Sequence, residues 1–238
     1  MNNEKDHATI TITGGNNVIA TQAASAPQCI NAPGAAQPVM VAAQPTDTIQ
    51  QMSATIRHYI THDAVGVPEL IRQARRHIVL HAAFYPKYGF DNQGDDISKT
   101  MAKNPGLRLT AIFTDVNTPW IDEFAVTLRD YFAEKGTFSK HLEITKDYFI
   151  RLRNLYSSKR VHIYDTARLP LFPVILIDDT LIVGHYAHSC VIPPNGLWFT
   201  IKHPKIPAMY ECLLAGGNPE CDTSEESAIL RYLEELIL

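Results

Sequence analysis

Histidines at strand ends are the residues with the widest chemical reach in this sequence. His185 and His188 lie three positions apart, directly after an apolar run, and His81 with Tyr85 follows from an earlier run, His77 to Phe84. Asp115 closes a third, Leu107 to Phe113. In parallel α/β sheets, ligands bind beyond the carboxyl ends of the strands, so these side chains are expected around one crevice. An imidazole there can serve as nucleophile or general acid, which makes His185 and His188 the catalytic candidates if the chain is an enzyme. His81, Tyr85, Asp115, Asp178 and Arg168 are the ligand-binding candidates. The competing reading for each histidine is a strand-end ring satisfied by hydrogen bonds. Imidazole and carboxylate also suit zinc or iron. The spacing argues against a metal, because His185 and His188 do not fall on a helical pattern. Cys29, Cys190, Cys212 and Cys221 contain no Cys-x-x-Cys pair either, so neither a metal nor a cofactor is expected.

These groups need a scaffold, and Leu169 to Ser189 supplies its centre. Phe172 to Ile177 is rich in β-branched and aromatic residues, and Leu181 to Val183 restarts the pattern after Asp178-Asp179-Thr180. The spacing predicts two strands joined by a tight acidic turn. The first is apolar at nearly every position, as befits a strand covered on both faces. Around this pair, helices alternate with short strands. A helix is expected from Thr46 or Thr48 through Ile49, Met52, Ile56, Tyr59 and Ile60, and another over 68–76. Ile97 to Lys103, Pro119 to Lys135 and Pro204 to Leu214 also read as helices, and Val161 to Tyr164 and Leu197 to Ile201 as strands. Such alternation argues for a layered α/β domain with a largely parallel core sheet. Between Phe138 and Tyr164, Lys140, Lys146, Arg151, Arg153, Lys159 and Arg160 interleave with apolar residues. This reads as an amphipathic helix with a solvated basic face, or as a phosphate-facing patch. A capping box, Thr223 to Glu226, opens a terminal helix whose stripe of Ile229, Leu230, Leu233, Leu236 and Ile237 must be buried on this domain or on a second copy.

A buried strand, an Asp turn, a second strand and then Gly184 resemble the second half of a phospholipase D superfamily repeat. The resemblance covers the stretch from Val67 to Gly216. It implies a phospholipase D-like layered sheet flanked by helices. In that family a His-x-Lys pair opens the first strand, and its His attacks a phosphodiester. With Asp178 laid on the family Asp, Leu171 and Pro173 stand where His and Lys belong, and His185 takes the place of the usual Ser. The resemblance therefore implies a non-catalytic or regulatory domain binding a phosphate-containing ligand or a partner. The alternative is a phosphodiesterase or nuclease using His185 or His188. The one His-x-Lys present, His203-Pro204-Lys205, opens a helix and has Tyr210 five positions on, so it reads as coincidence.

Composition bounds the rest. The chain has 238 residues, 45% of them hydrophobic, enough for one sizeable core. A net charge of -4 excludes a global attraction to nucleic acid or anionic lipid, so any such binding needs a local patch. No stretch approaches the ~20 apolar residues of a membrane span, and a cytoplasmic protein with reduced thiols is expected. Residues 1–45 form a separate unit: an expected β-hairpin around Gly14-Gly15-Asn16-Asn17, then an uncharged Ala, Pro and Gln linker. The compact domain spans 46–238. With material for one repeat and no duplication of its core stretch, the chain is expected to form a homodimer or larger.

Overall fold

The acidic turn and its two strands sit in the interior of a seven-stranded mixed sheet. This computed structural model describes residues 53–81, 93–128, 137–185 and 195–237. The expected N-terminal hairpin and linker lie outside those residues. In chain order the strands are β1 (Thr55–Tyr59), β2 (His77–His81), β3 (Arg108–Thr114), β4 (Val161–Thr166), β5 (Val174–Ile177), β6 (Thr180–Val183) and β7 (Trp198–Lys202). Their order across the sheet is β1-β7-β6-β5-β2-β3-β4.

The expectation of a largely parallel sheet holds for one half. β2, β3 and β4 are parallel, each joined by a helical crossover. From β2 onward the pairing reverses, and β5, β6, β7 and β1 form an antiparallel run. The reason is connection length. Two residues link β5 to β6, and a parallel return would need a crossover of a dozen residues or more.

A second correction concerns the segment expected as the first helix. Thr55 to Tyr59 is strand β1, paired antiparallel with β7 from Thr55↔Lys202 to Tyr59↔Trp198. Ile56, Tyr59 and Ile60 match helical spacing, yet Ile60 is 74% exposed and belongs to no buried stripe. β-Branched and aromatic residues over five positions favour the strand. Residues 46–52 lie outside the described ones.

Helices cover both faces. On one lie α1 (His62–Val65), α2 (Val67–Gln73), α3 (Gln93–Lys103), α4 (Ile121–Thr127) and α5 (Thr137–Tyr156). Their Ile71, Met101, Phe124, Leu142 and Phe149 meet Ile78, Leu80, Leu109, Phe113 and Ile175 of the sheet. On the other lie α6 (Ile206–Leu214) and α7 (Ser224–Glu234). Half of the expected capping box of α7 forms: Thr223 Oγ1 accepts from Glu226 N at 3.1 Å, while the Glu226 carboxylate reaches one residue past the cap and accepts from Asp222 N at 2.8 Å. The terminal stripe is buried on its own domain. Ile229, Leu233 and Leu236 pack on Val79, Ile112, Val174, Leu176 and Leu181 of the sheet. Burying each such side chain contributes about 2 kcal/mol, so this helix is part of the core and its stripe no longer argues for a second copy. Lys205 and Glu226 explain the isolated His-x-Lys. Lys205 Nζ reaches Asp222 at 2.6 Å and Glu226 at 2.9 Å, tying the start of α6 to the start of α7. Among the described residues no helix is long and apolar enough to cross a membrane.

Candidate functional site

Because β5 runs against β2, the sheet has two chemically different edges. At one stand His81, Asp115, Arg168, the first residue of β5 and the last of β6. At the other stand the Asp178-Asp179 turn and the first residues of β2, β3 and β4.

The histidine edge is built by strand termini. His81 is the last residue of β2, opposite Val174, and is 3% exposed. Neither ring nitrogen closes a hydrogen bond among the described residues. Burial pushes its pKa down; the Glu235 backbone opposes that shift and the Arg168 charge adds to it. His81 is therefore a neutral ring at pH 7, with a donor and an acceptor to offer. At the end of β6, Gly184 donates its N–H to the Pro173 carbonyl at 3.1 Å. A Cβ on Gly184 would lie 2.8 Å from the Trp198 indole, so only glycine lets the chain pass under that ring. His185 follows, exposed, its ring 6.2 Å from that of Phe199 in an edge arrangement. Arg168 is exposed and gives Nη1 to the Ile237 carbonyl at 3.3 Å. Leu171 is 65% exposed, and Pro173 is buried beside the mouth of β5.

Two of the sequence candidates have other engagements. Asp115 Oδ1 accepts from the backbone and side-chain nitrogens of Asn117, both at 2.9 Å, and so shapes its own turn. Asp178 lies at the opposite edge, roughly 13 Å from the β5 mouth at ~3.3 Å per residue. Its carboxylate accepts from the backbone N–H groups of Arg75, Arg76 and His77 at 2.8, 2.8 and 3.0 Å. It does this from a left-handed backbone, φ 49°, a region that Asp and Asn tolerate best after glycine. The structure thus brings together His81 and Arg168, places His185 and Asp115 at the same edge of the sheet, and separates Asp178 from them. Tyr85 and His188 lie outside the described residues.

The basic stretch is also partly committed. Arg160 donates to the carbonyls of Met101, Asn104 and Leu107 at 2.8, 2.7 and 3.2 Å, at the edge away from His185. Lys146 pairs with Asp165 at 2.6 Å. Neither is free to clamp a phosphate at the histidine edge.

Sequence reasoning missed a second concavity. Where α6 and α7 stop short of β4, a groove of about 350 Å³ is lined by His77, Arg108, Thr110, His162, Tyr164 and Tyr210. The available signal was the alternation of His162 and Tyr164, which places two rings on one face of a sheet-edge strand.

No family model matches the chain, and no curated protein matches it in sequence. Solved structures do resemble it in fold. TrmBL2, an archaeal chromatin protein whose structure shows a mode of DNA binding, is 10% identical, with a TM-score of 0.42 over 71% of this chain and 54% of its own. Phosphatidylserine synthase from Haemophilus influenzae is 14% identical, with a TM-score of 0.42 over 76% of this chain and 43% of its own. The chain thus spans about half the length of these two. Nuc from Salmonella typhimurium, a phospholipase D family member, is 14% identical, with a TM-score of 0.34 over 70% of this chain and 91% of its own.

Proposed function

We propose that this is a phospholipase D-like domain that binds a phosphate-containing ligand at its histidine edge and does not cleave it. The observation that supports this is the mouth of β5. Leu171 and Pro173 stand where the resemblance expects a nucleophile and a phosphate-binding cation, and neither side chain can supply one. Losing one such charge-stabilising group typically lowers a rate by ~10²-fold or more. Arg168 retains guanidinium donors for an anion, and neutral His81 adds one ring N–H donor. Pyrophosphate titration tests the ligand class: Arg168→Ala should weaken binding at least tenfold, and unchanged affinity would refute the site.

The second reading is a phosphodiesterase using His185 or His188, and the exposure of His185 at this edge favours it. Hydrolysis of bis(p-nitrophenyl) phosphate and of single-stranded DNA is expected not to exceed that of a His185→Ala, His188→Ala double variant. A rate well above that control would select the enzyme. On the same reading the chain is a single repeat that pairs with a second copy. Light scattering should then return twice 26.6 kDa, and a 26.6 kDa species would rule the pairing out.

A further inference from the structure

The groove on the α6 and α7 face holds an unspent donor beside a cation and two flat rings. Tyr210, on α6, is 1% exposed, and its hydroxyl closes no hydrogen bond among the described residues; the Thr110 hydroxyl stands near it without completing one. A buried hydroxyl left unpaired costs roughly 1–3 kcal/mol, so a native structure that keeps one at a cavity wall calls for an explanation. Burial pushes the phenol up to about 12, which keeps it a donor at any physiological pH.

Arg108 is half-exposed on the first turn of β3. It forms a loose ion pair with Glu211 at 3.6 Å, which leaves guanidinium N–H groups for a second anion. Glu211 is itself held by His77 Nε2 at 3.0 Å; that hydrogen bond lowers its pKa, and the Arg108 and Arg76 charges add to the shift. Opposite, His162 and Tyr164 present parallel rings, 6° apart in plane with centroids 6.3 Å apart, and Tyr164 is 45% exposed. Leu214 and Leu236 give the groove an apolar wall. Its volume falls at the lower end of the roughly 300–1,000 Å³ typical of small-molecule sites.

A cation, a buried neutral donor, one exposed and one half-buried ring and an apolar wall complement one kind of molecule, a planar heterocycle carrying an anionic group. We propose that this groove is a mononucleotide site, with the base stacked on Tyr164 and His162, the phosphate on Arg108 and a ligand acceptor on the Tyr210 hydroxyl. Aromatic side chains take nucleobases by stacking with little sequence preference, and arginine matches phosphate in bidentate geometry. The groove meets the histidine edge at Ile237, whose carbonyl Arg168 holds, but nucleotide binding here does not rest on the function proposed there.

Calorimetric titration of the full chain with AMP, GMP, CMP and UMP tests it, with adenosine, inorganic phosphate and a single-stranded thymidine oligonucleotide as further arms. At least one mononucleotide should bind, with adenosine and inorganic phosphate at least tenfold weaker. Arg108→Ala and Tyr164→Ala, both at exposed positions, should each weaken binding at least tenfold, while Arg57→Ala, exposed on β1 at the far side of the sheet, should leave it unchanged. Tyr210→Phe should weaken binding severalfold while the fold stays intact. The proposal is overturned if no mononucleotide binds at millimolar concentration or if Arg168→Ala abolishes binding while Arg108→Ala does not. Oligonucleotide binding much tighter than that of any mononucleotide would overturn it equally, in favour of a strand-binding surface.

Discussion

The two edges of the sheet carry similar residue types and spend them differently. At the acidic turn, one carboxylate, Asp178, takes three backbone N–H groups, and one guanidinium, Arg160, takes three carbonyls. At the histidine edge, His81 is buried deeper than either, yet neither ring nitrogen closes a hydrogen bond among the described residues. Saturated polar groups hold a fold together, whereas buried groups with spare capacity mark places where something else can bind. Residue type alone would rank Asp178 beside His81. Their hydrogen bonds separate them.

The sharpest way to break this contrast is at Asp178. Asp178→Ala strands three N–H groups and puts alanine in a left-handed backbone, so a loss of about 3 kcal/mol or more is expected from the urea midpoint. Asp178→Asn keeps one acceptor oxygen and should lose about half of that. If Asp178→Ala cost less than His81→Ala, the division into a structural and a binding edge would be wrong.

A smaller loss is expected at the passage into the histidine edge. Gly184→Ala drives a methyl group into the Trp198 indole and should cost about 1–3 kcal/mol, and Trp198→Leu on that background should recover part of it. Failure to recover would mean that Gly184 serves the backbone and not the close approach.

His81 should reveal itself through pH. Its pKa in the folded chain is held below the ordinary 6.5, mainly by burial, so the unfolded chain binds the proton more readily. Its contribution is therefore fully present above pH 6.5 and is lost as pH falls toward the folded value. Thermal melts at pH 7 and pH 5 should show a smaller acid loss for His81→Phe than for the parent, by a few degrees. Equal losses would show that the Glu235 backbone supports the charged ring strongly enough to offset its burial.

The smallest effect belongs to Lys146→Ala. Its pair with Asp165 is about one-third to one-half exposed, and its loss should cost less than about 1 kcal/mol, shrinking further in high salt. A larger, salt-insensitive loss would promote this contact to the structural group.

Much of this arrangement was legible beforehand, for identifiable reasons. Phe172 to Val183 declared its two strands and turn because uninterrupted apolar runs around Asp-Asp have few other solutions. The terminal helix declared its start because Thr223 and Glu226 satisfy each other's neighbourhood locally. Where the chain depended on distant partners, local pattern misled. Thr55 to Tyr59 fits helical spacing and becomes a strand only because β7 offers an open edge. The destination of Asp178 was hidden for the same reason, since its donors lie 103, 102 and 101 residues away. The groove showed in the sequence only as the alternation of His162 and Tyr164, because its walls are set by where α6 and α7 end, a tertiary fact.

The pairing of β1 with β7 has a consequence for how the chain is made. β1 is the first described strand to leave the ribosome, and the edge it needs is completed roughly 150 residues later. The parallel trio β2, β3 and β4 can associate once synthesis passes Thr166, but β1 must wait as an unpaired strand bearing Ile56 and Tyr59. During that interval the nascent protein offers a sticky ribbon with no proper mate. Ribosome-bound fragments ending before Trp198 should therefore be cut by protease between Thr55 and Tyr59, and full-length chains should resist there. Protection of that segment in the shorter fragments would mean that β1 docks elsewhere first and is handed to β7 afterwards.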